Sequence, residues 1–238
     1  MGAAIVAFGF KEASDPRLAL GLVSVNGNRR TPAADVIAAA GFEPGANVWL
    51  LDVAAAQNRI ADLPWVDSAT VHRLWPNRVW VSVVERVPVA RVWISTVSGE
   101  EPFAGLALVD ATGRVLAFGS AQGAAAGAAS QALPLMRIDP LPSPLRIGAP
   151  IPGDVFGQAY DALVQLRSLG LRVSEIDVGP VTGFTVTSDD GLRVILGTED
   201  DLARKVTLFK AIVPKIAAPQ NVVYVDLRSV RAPTVLYR

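Results

Sequence analysis

The stretch "LPWVDSATVHRLWPNRVWVSVVERVPVA", residues 63–90, decides the fold. Ala69 and Val71 alternate with Ser68, Thr70 and His72, the period of two that a half-buried strand requires. "WPN" at residues 75–77 has turn chemistry. On the return, Val79, Val81 and Val83 share one face, and Trp80, Ser82 and Val84 share the other. The stretch therefore predicts a hairpin, after which the chain runs through Pro88 into a different pattern.

Toward the N-terminus, residues 20–25 predict a strand and "NGN" the turn after it. "RTPAADVIAAAG" predicts a helix with Thr31 as N-cap, Pro32 at the first position and Gly41 as C-terminal cap. "EPG" at residues 43–45 is a loop. A second helix starts near Asp52: Val53, Ala56, Ile60 and Leu63 fall on one face of a 3.6-residue period, and Pro64 stops it. Residues 20–87 thus read strand, helix, helix, strand, strand. The opening "MGAAIVAFGF" reads either as an N-terminal strand or frayed end, or as the distal part of a membrane anchor. A span takes about 20 apolar residues, and Lys11, Glu12 and Asp15 end this run sooner.

Toward the C-terminus, "ALVDATGRVLAF" predicts a hairpin around Thr112 and Gly113. The low-complexity residues 119–132 read as a flexible surface loop, and the proline-rich residues 139–154 as an extended connector. A helix follows, with Phe156, Tyr160, Leu163 and Leu166 on one face and Gly170 closing it. "VSEIDVG", "GFTVTS" and "LRVILG" read as strands, the last two joined at "DDG". Thr198 begins another helix, with Asp201 at the capping-box position, Leu202, Val206, Phe209 and Val213 as its buried stripe, and Pro214 at its end. "NVVYVDLR" and "PTVLYR" are the closing strands. The expected fold is α+β, with the second half mostly antiparallel sheet plus two helices.

Composition sets outer limits. With 238 residues and 51% apolar content, the chain can bury a sizeable core, which excludes global disorder. Its 22 basic and 22 acidic residues balance, so charge gives no reason to expect a nucleic-acid partner. With no cysteine, disulfides, thiolate metal sites and a cysteine nucleophile are excluded. Phosphate loops of the Walker or Rossmann type are absent. His72 is the sole histidine and reads as an exposed strand residue. Glu199, Asp200 and Asp201 have the composition of a metal site, but three acids in a helix's first turn also complement its dipole, and that reading is preferred. Asp226 and Arg228 of "DLR" read as a structural ion pair. No catalytic residue, metal ligand or cofactor is expected. The five tryptophans, at 49, 65, 75, 80 and 93, read mainly as core. Trp80 points away from the valine face and is a candidate for an inter-domain or partner contact.

The order strand, helix, helix, strand, strand, closed by "PWVDSATVHRLWPNRVWVSVVERVPVA", resembles a POTRA domain. "ALVDATGRVL", "LPLMRI", "LRVILGTEDDLARKVTLFKAI" and "VVYVDLRSVRAPTVLYR" are similar to the second domain of the FtsQ (DivIB) family. The resemblance covers residues 20–238. It implies three parts: residues 1–19, a remnant of a membrane anchor; residues 20–87, a POTRA domain; and residues 88–238, an FtsQ-type β domain. It further implies a single-pass membrane protein at the division septum, with its folded domains extracytoplasmic. The implied role is that of a non-enzymatic divisome scaffold, which binds FtsB- and FtsL-type partners and helps control septal peptidoglycan synthesis. The partner edge it implies is the last strand, at Thr234, Val235, Leu236 and Tyr237, together with Ser229. Ser229 stands where the family usually has an aromatic residue, and Pro233 where the strand begins. A POTRA-bearing secretion or outer-membrane assembly component is the competing reading, yet such proteins repeat the POTRA unit and carry a long barrel. An extracytoplasmic hydrolase lacks the nucleophile–base pair it needs.

Overall fold

The computed structural model describes residues 15–95, 104–119, 132–139, 141, 145–198, 200–216 and 221–238. The apolar segment 1–14 and the low-complexity loop at 120–131 lie outside them. The chain divides into two compact units, Met1–Val87 and Pro88–Arg238.

The first unit contains β1 (Leu22–Asn26), α1 (Ala33–Ala40), a 3-10 turn (Val48–Leu50), α2 (Val53–Ala61), β2 (Val66–Leu74) and β3 (Arg78–Glu85). Its three-stranded sheet has the order β1-β3-β2. β1 runs parallel to β3, and β2 is antiparallel to it. Val71, Val79, Val81 and Val83 are buried on the same core as Val36, Ala40, Ala56 and Ile60 of the helices. Each such valine or isoleucine removed from water is worth about 1.5–3 kcal/mol. α2 starts as expected: the Asp52 Oδ1 accepts the Ala55 N–H at 2.9 Å. Gly41, at φ 66°, ends α1 in the left-handed conformation.

The start of α1 differs from expectation. Pro32, not Thr31, occupies the cap position, and no side chain of its own caps the helix. Instead Glu85, at the end of β3, reaches across. Its Oε1 accepts the N–H groups of Arg29, Arg30 and Thr31 at 2.9, 2.8 and 2.8 Å. A full negative charge makes stronger hydrogen bonds than a neutral hydroxyl, so the carboxylate fixes the loop that leads into α1, while the first turn of the helix itself has no side-chain cap. Burial pushes the Glu85 carboxyl up, but the three backbone donors outweigh it and hold it below the usual range.

The second unit contains β4 (Pro88–Ser95), β5 (Ala104–Asp110), β6 (Val115–Gly119), β7 (Leu135–Ile138), α3 (Val155–Ser168), β8 (Val173–Gly179), β9 (Gly183–Ser188), β10 (Arg193–Gly197), α4 (Leu202–Ile212), β11 (Val222–Asp226) and β12 (Thr234–Tyr237). One nine-stranded sheet runs β12-β11-β10-β9-β8-β7-β4-β5-β6. Five neighbouring pairs are antiparallel and three, β4–β7, β7–β8 and β10–β11, are parallel. α3 and α4 bury Phe156, Leu163, Leu166, Leu202, Val206 and Phe209 in one core with Val92, Ile176, Val194 and Val225 of the strands.

The hairpin expected at residues 110–115 is present. Asp110 Oδ1 accepts the N–H groups of Thr112 and Arg114, both at 2.9 Å, and Gly113 takes φ 81°. The described part of the proline-rich connector then lies along this hairpin. Val115 N–H donates to Ala149 O, Gly148 N–H to Val115 O and Ile151 N–H to Gly113 O, at 2.8–2.9 Å.

α4 begins at Leu202, four residues later than expected, and Asp201 precedes it at φ 58° without a side-chain cap bond. Thr198 is held differently: its carbonyl accepts the buried Lys205 ammonium at 2.9 Å, and its hydroxyl donates to Asp200 at 3.0 Å. A buried ammonium needs an acceptor, which the Thr198 carbonyl supplies, and the left-handed backbone at Asp201 sets the helix start at Leu202. Asp201 is the cap residue and Asp200 precedes it, so both lie at the start of α4 but ahead of the first turn where they were expected. Glu199 lies outside the described residues, among which no metal-binding group of acids and histidines occurs.

Candidate partner-binding edge

The closing segment is built outward from the core. Val225 and Leu227 are fully buried, and Leu227 N–H donates to Ile195 O at 2.8 Å, which fixes the end of β11 to β10. Asp226, between them, folds back onto Arg228. Its Oδ1 accepts the Arg228 N–H at 3.0 Å, and its Oδ2 meets the guanidinium Nη2 at 2.7 Å. Arg228 holds the Asp226 carboxyl below the usual carboxylate range, against the upward push of burial. This is the structural ion pair expected from "DLR". Ser229, exposed in the following turn, accepts the Ala232 N–H at 3.3 Å through its carbonyl.

After Pro233 the chain forms β12 and returns antiparallel along β11, with Val235 opposite Val225 and Tyr237 opposite Val222. Arg238 N–H closes the pair on Asn221 O at 2.8 Å. Val235 faces inward and packs on the core. Thr234, Leu236 and Tyr237 are exposed, Tyr237 by 47%. Β12 ends the sheet order, so among the described residues its second side has no backbone partner. Thr234, Val235, Leu236 and Tyr237 thus stand on one edge strand, while Ser229 lies in the turn before it. Val223 of β11, also exposed, sits where the β11–β12 register shifts. Sequence pattern did not single it out, because an irregular register breaks the period-two signal.

Such an edge offers a row of N–H and C=O groups for another chain's strand. The other residues singled out from sequence do not gather into a site. His72 is exposed and stacks on Trp80, ring centres 5.7 Å apart. Asp110 is used by its own turn.

Two family descriptions match in chain order: "POTRA domain, FtsQ-type" over residues 18–86 and "Cell division protein FtsQ/DivIB, C-terminal" over residues 102–228. The chain is similar to proteins named cell division protein FtsQ. That of Corynebacterium glutamicum is 32% identical over 105 residues, 44% of each chain. That of Mycolicibacterium smegmatis is 29% identical over 211 residues, 88% of this chain and 56% of that protein. That of Haemophilus influenzae is 28% identical over 186 residues, 76% of this chain and 61% of that protein. The chain spans about half the length of the curated relatives it matches. With the C-terminal description alone matching more than half of the chain, and the POTRA description preceding it, this protein belongs to the FtsQ/DivIB family of cell division proteins.

Proposed function

We propose that this chain is a non-enzymatic scaffold of the division machinery, which binds FtsB- and FtsL-type partners, captures the FtsB-type one by strand addition to β12, and so helps control septal peptidoglycan synthesis. In this reading residues 20–87 are the POTRA unit and residues 88–238 the partner-binding β unit. An anchor that includes the apolar residues near the N-terminus holds both outside the membrane at the septum. The observation that carries the reading is the bare edge of β12, with Tyr237 exposed beside it. Backbone bonds along the edge supply affinity, and alternate side chains supply selectivity.

The test is a titration of the cognate FtsB extracytoplasmic segment into the full chain and into a chain lacking residues 234–238. Loss of binding with an otherwise intact fold is the expected outcome. Equal affinity for both chains would sink the edge-strand reading.

A further inference from the structure

The first unit has two unlike ends. Because β1 and β3 run parallel, the chain comes in beside Leu22 at one end and leaves past Glu85 at the other. Three short segments are tied together at the incoming end. Ala19 forms a bridge with Asn47. Leu20 N–H donates to Ala46 O at 2.8 Å, and Gly21 N–H to Asn77 O at 2.9 Å. These bonds bring the 3-10 turn Val48–Leu50 and the β2–β3 turn to one place.

Leu22, Trp49, Leu50, Leu74 and Trp75 are all exposed there, Leu50 by 70% and Trp75 by 77%, so these two tryptophans are not the core residues expected from sequence. Trp80, one residue pair further along the open sheet face, continues the patch. Single exposed apolar residues are ordinary, but a group with two protruding tryptophans marks a contact surface. Charge does not select an oppositely charged partner, since Arg17, Arg73 and Arg78 at this end are matched by Asp15, Glu43 and Asp52. The apolar stretch at residues 2–10 precedes the fold by only a few residues, and residues 15–19 join it at this same end.

We propose that this end of the first unit is a lipid-facing surface. Trp49 and Trp75 sit at headgroup level of a bilayer, with Leu22, Leu50 and Leu74 at the acyl boundary. An indole ring has an apolar body and a polar N–H, which suits a boundary that is wet on one side and dry on the other. The proposal rests on the reading that the chain works beside a membrane, and it adds which face turns toward the lipid.

The full chain is mixed with vesicles of phosphatidylethanolamine and phosphatidylglycerol whose acyl chains are brominated near the headgroup. Quenching of tryptophan emission is expected, with most of the quenched signal absent from the double variant Trp49→Phe, Trp75→Phe. A second variant, Leu50→Ser with Trp75→Ser, is expected to bind the vesicles about tenfold more weakly, because large apolar side chains no longer leave water. Circular dichroism confirms that both variants keep the fold. If the chain sediments with vesicles but Trp49 and Trp75 are not quenched, residues 2–10 alone hold it, and the proposal is overturned. If the chain does not sediment, the proposal is overturned too. Neither result touches the β12 reading, whose partner titration contains no lipid.

Discussion

The two edges of the nine-stranded sheet are finished in different ways. At β6, residues 148–151 supply backbone partners to Gly113 and Val115, and the buried Ile151 fastens them to the core. At β12 nothing described lies alongside. That strand is only four residues long, starts behind Pro233 and is flanked by the exposed arginines Arg228, Arg231 and Arg238. Short length, proline and charge are the means by which natural sheets discourage copies of themselves from pairing at an edge. One edge is covered at its start by the chain itself, whereas the other is guarded against its own kind yet left open. An edge kept in that condition is suited to a chosen partner.

The sharpest break of this comparison is Ile151→Ala. Removing a buried isoleucine is expected to cost about 2–5 kcal/mol of stability, read by urea unfolding, while affinity for the partner segment stays as it was. A loss of affinity instead would mean the two edges are not independent. Next comes Tyr237→Ala at the open edge. An aromatic hot spot is worth at least ~2 kcal/mol, roughly a 30-fold loss in affinity. The melting temperature should hardly move, and a collapse of stability would make Tyr237 a core residue.

Third, Gly113→Ala is expected to cost about 1–2 kcal/mol of stability in the same unfolding assay. Its φ of 81° disfavours any Cβ, and that Cβ would stand 3.1 Å from Phe156 Cδ1. The smallest effect is at Asp226→Asn, no more than ~1 kcal/mol. Because the folded carboxyl titrates below its usual 3.8, its contribution is complete above that value and is lost as pH falls through the lower folded one. Unfolding of wild type and variant compared from neutral pH downward should differ by a constant amount, with the gap closing only below 3.8. A gap that closes near neutral pH would rule out the Asp226–Arg228 contact as its source.

What was legible in the sequence follows from how local each signal is. The β2–β3 hairpin could be read because its alternation and its turn lie within one stretch, and α2 because Asp52 caps it. β12 as a last strand behind Pro233 could be read for the same reason. β4 is not legible as a separate strand, although Ala90, Val92 and Ile94 alternate inward, because Pro88 interrupts the pattern ahead of it and the run lacks a turn of its own. β7, with four residues, is too short to show a period. The parallel pairs β4–β7, β7–β8 and β10–β11 join segments far apart in sequence, and no local pattern encodes such a choice. The hold of Glu85 on the loop before α1 is illegible for the same reason: this residue lies more than fifty residues from the donors it serves. At the edge, the inward turn of Val235 is set by packing on the core, which the order of residues does not display.

The parallel pairing of β1 and β3 has a mechanical consequence. A pull between the incoming segment at Leu22 and the outgoing one after Glu85 would drag these neighbouring strands past each other along their length. The ladder between them would be loaded in shear, all its bonds at once, rather than peeled one bond at a time. The first unit is thus built to carry tension end to end. Single-molecule stretching through residues 15 and 87 should show it rupturing in one step, at a force well above that of a hairpin unzipping. A gradual, low-force opening would contradict the shear geometry.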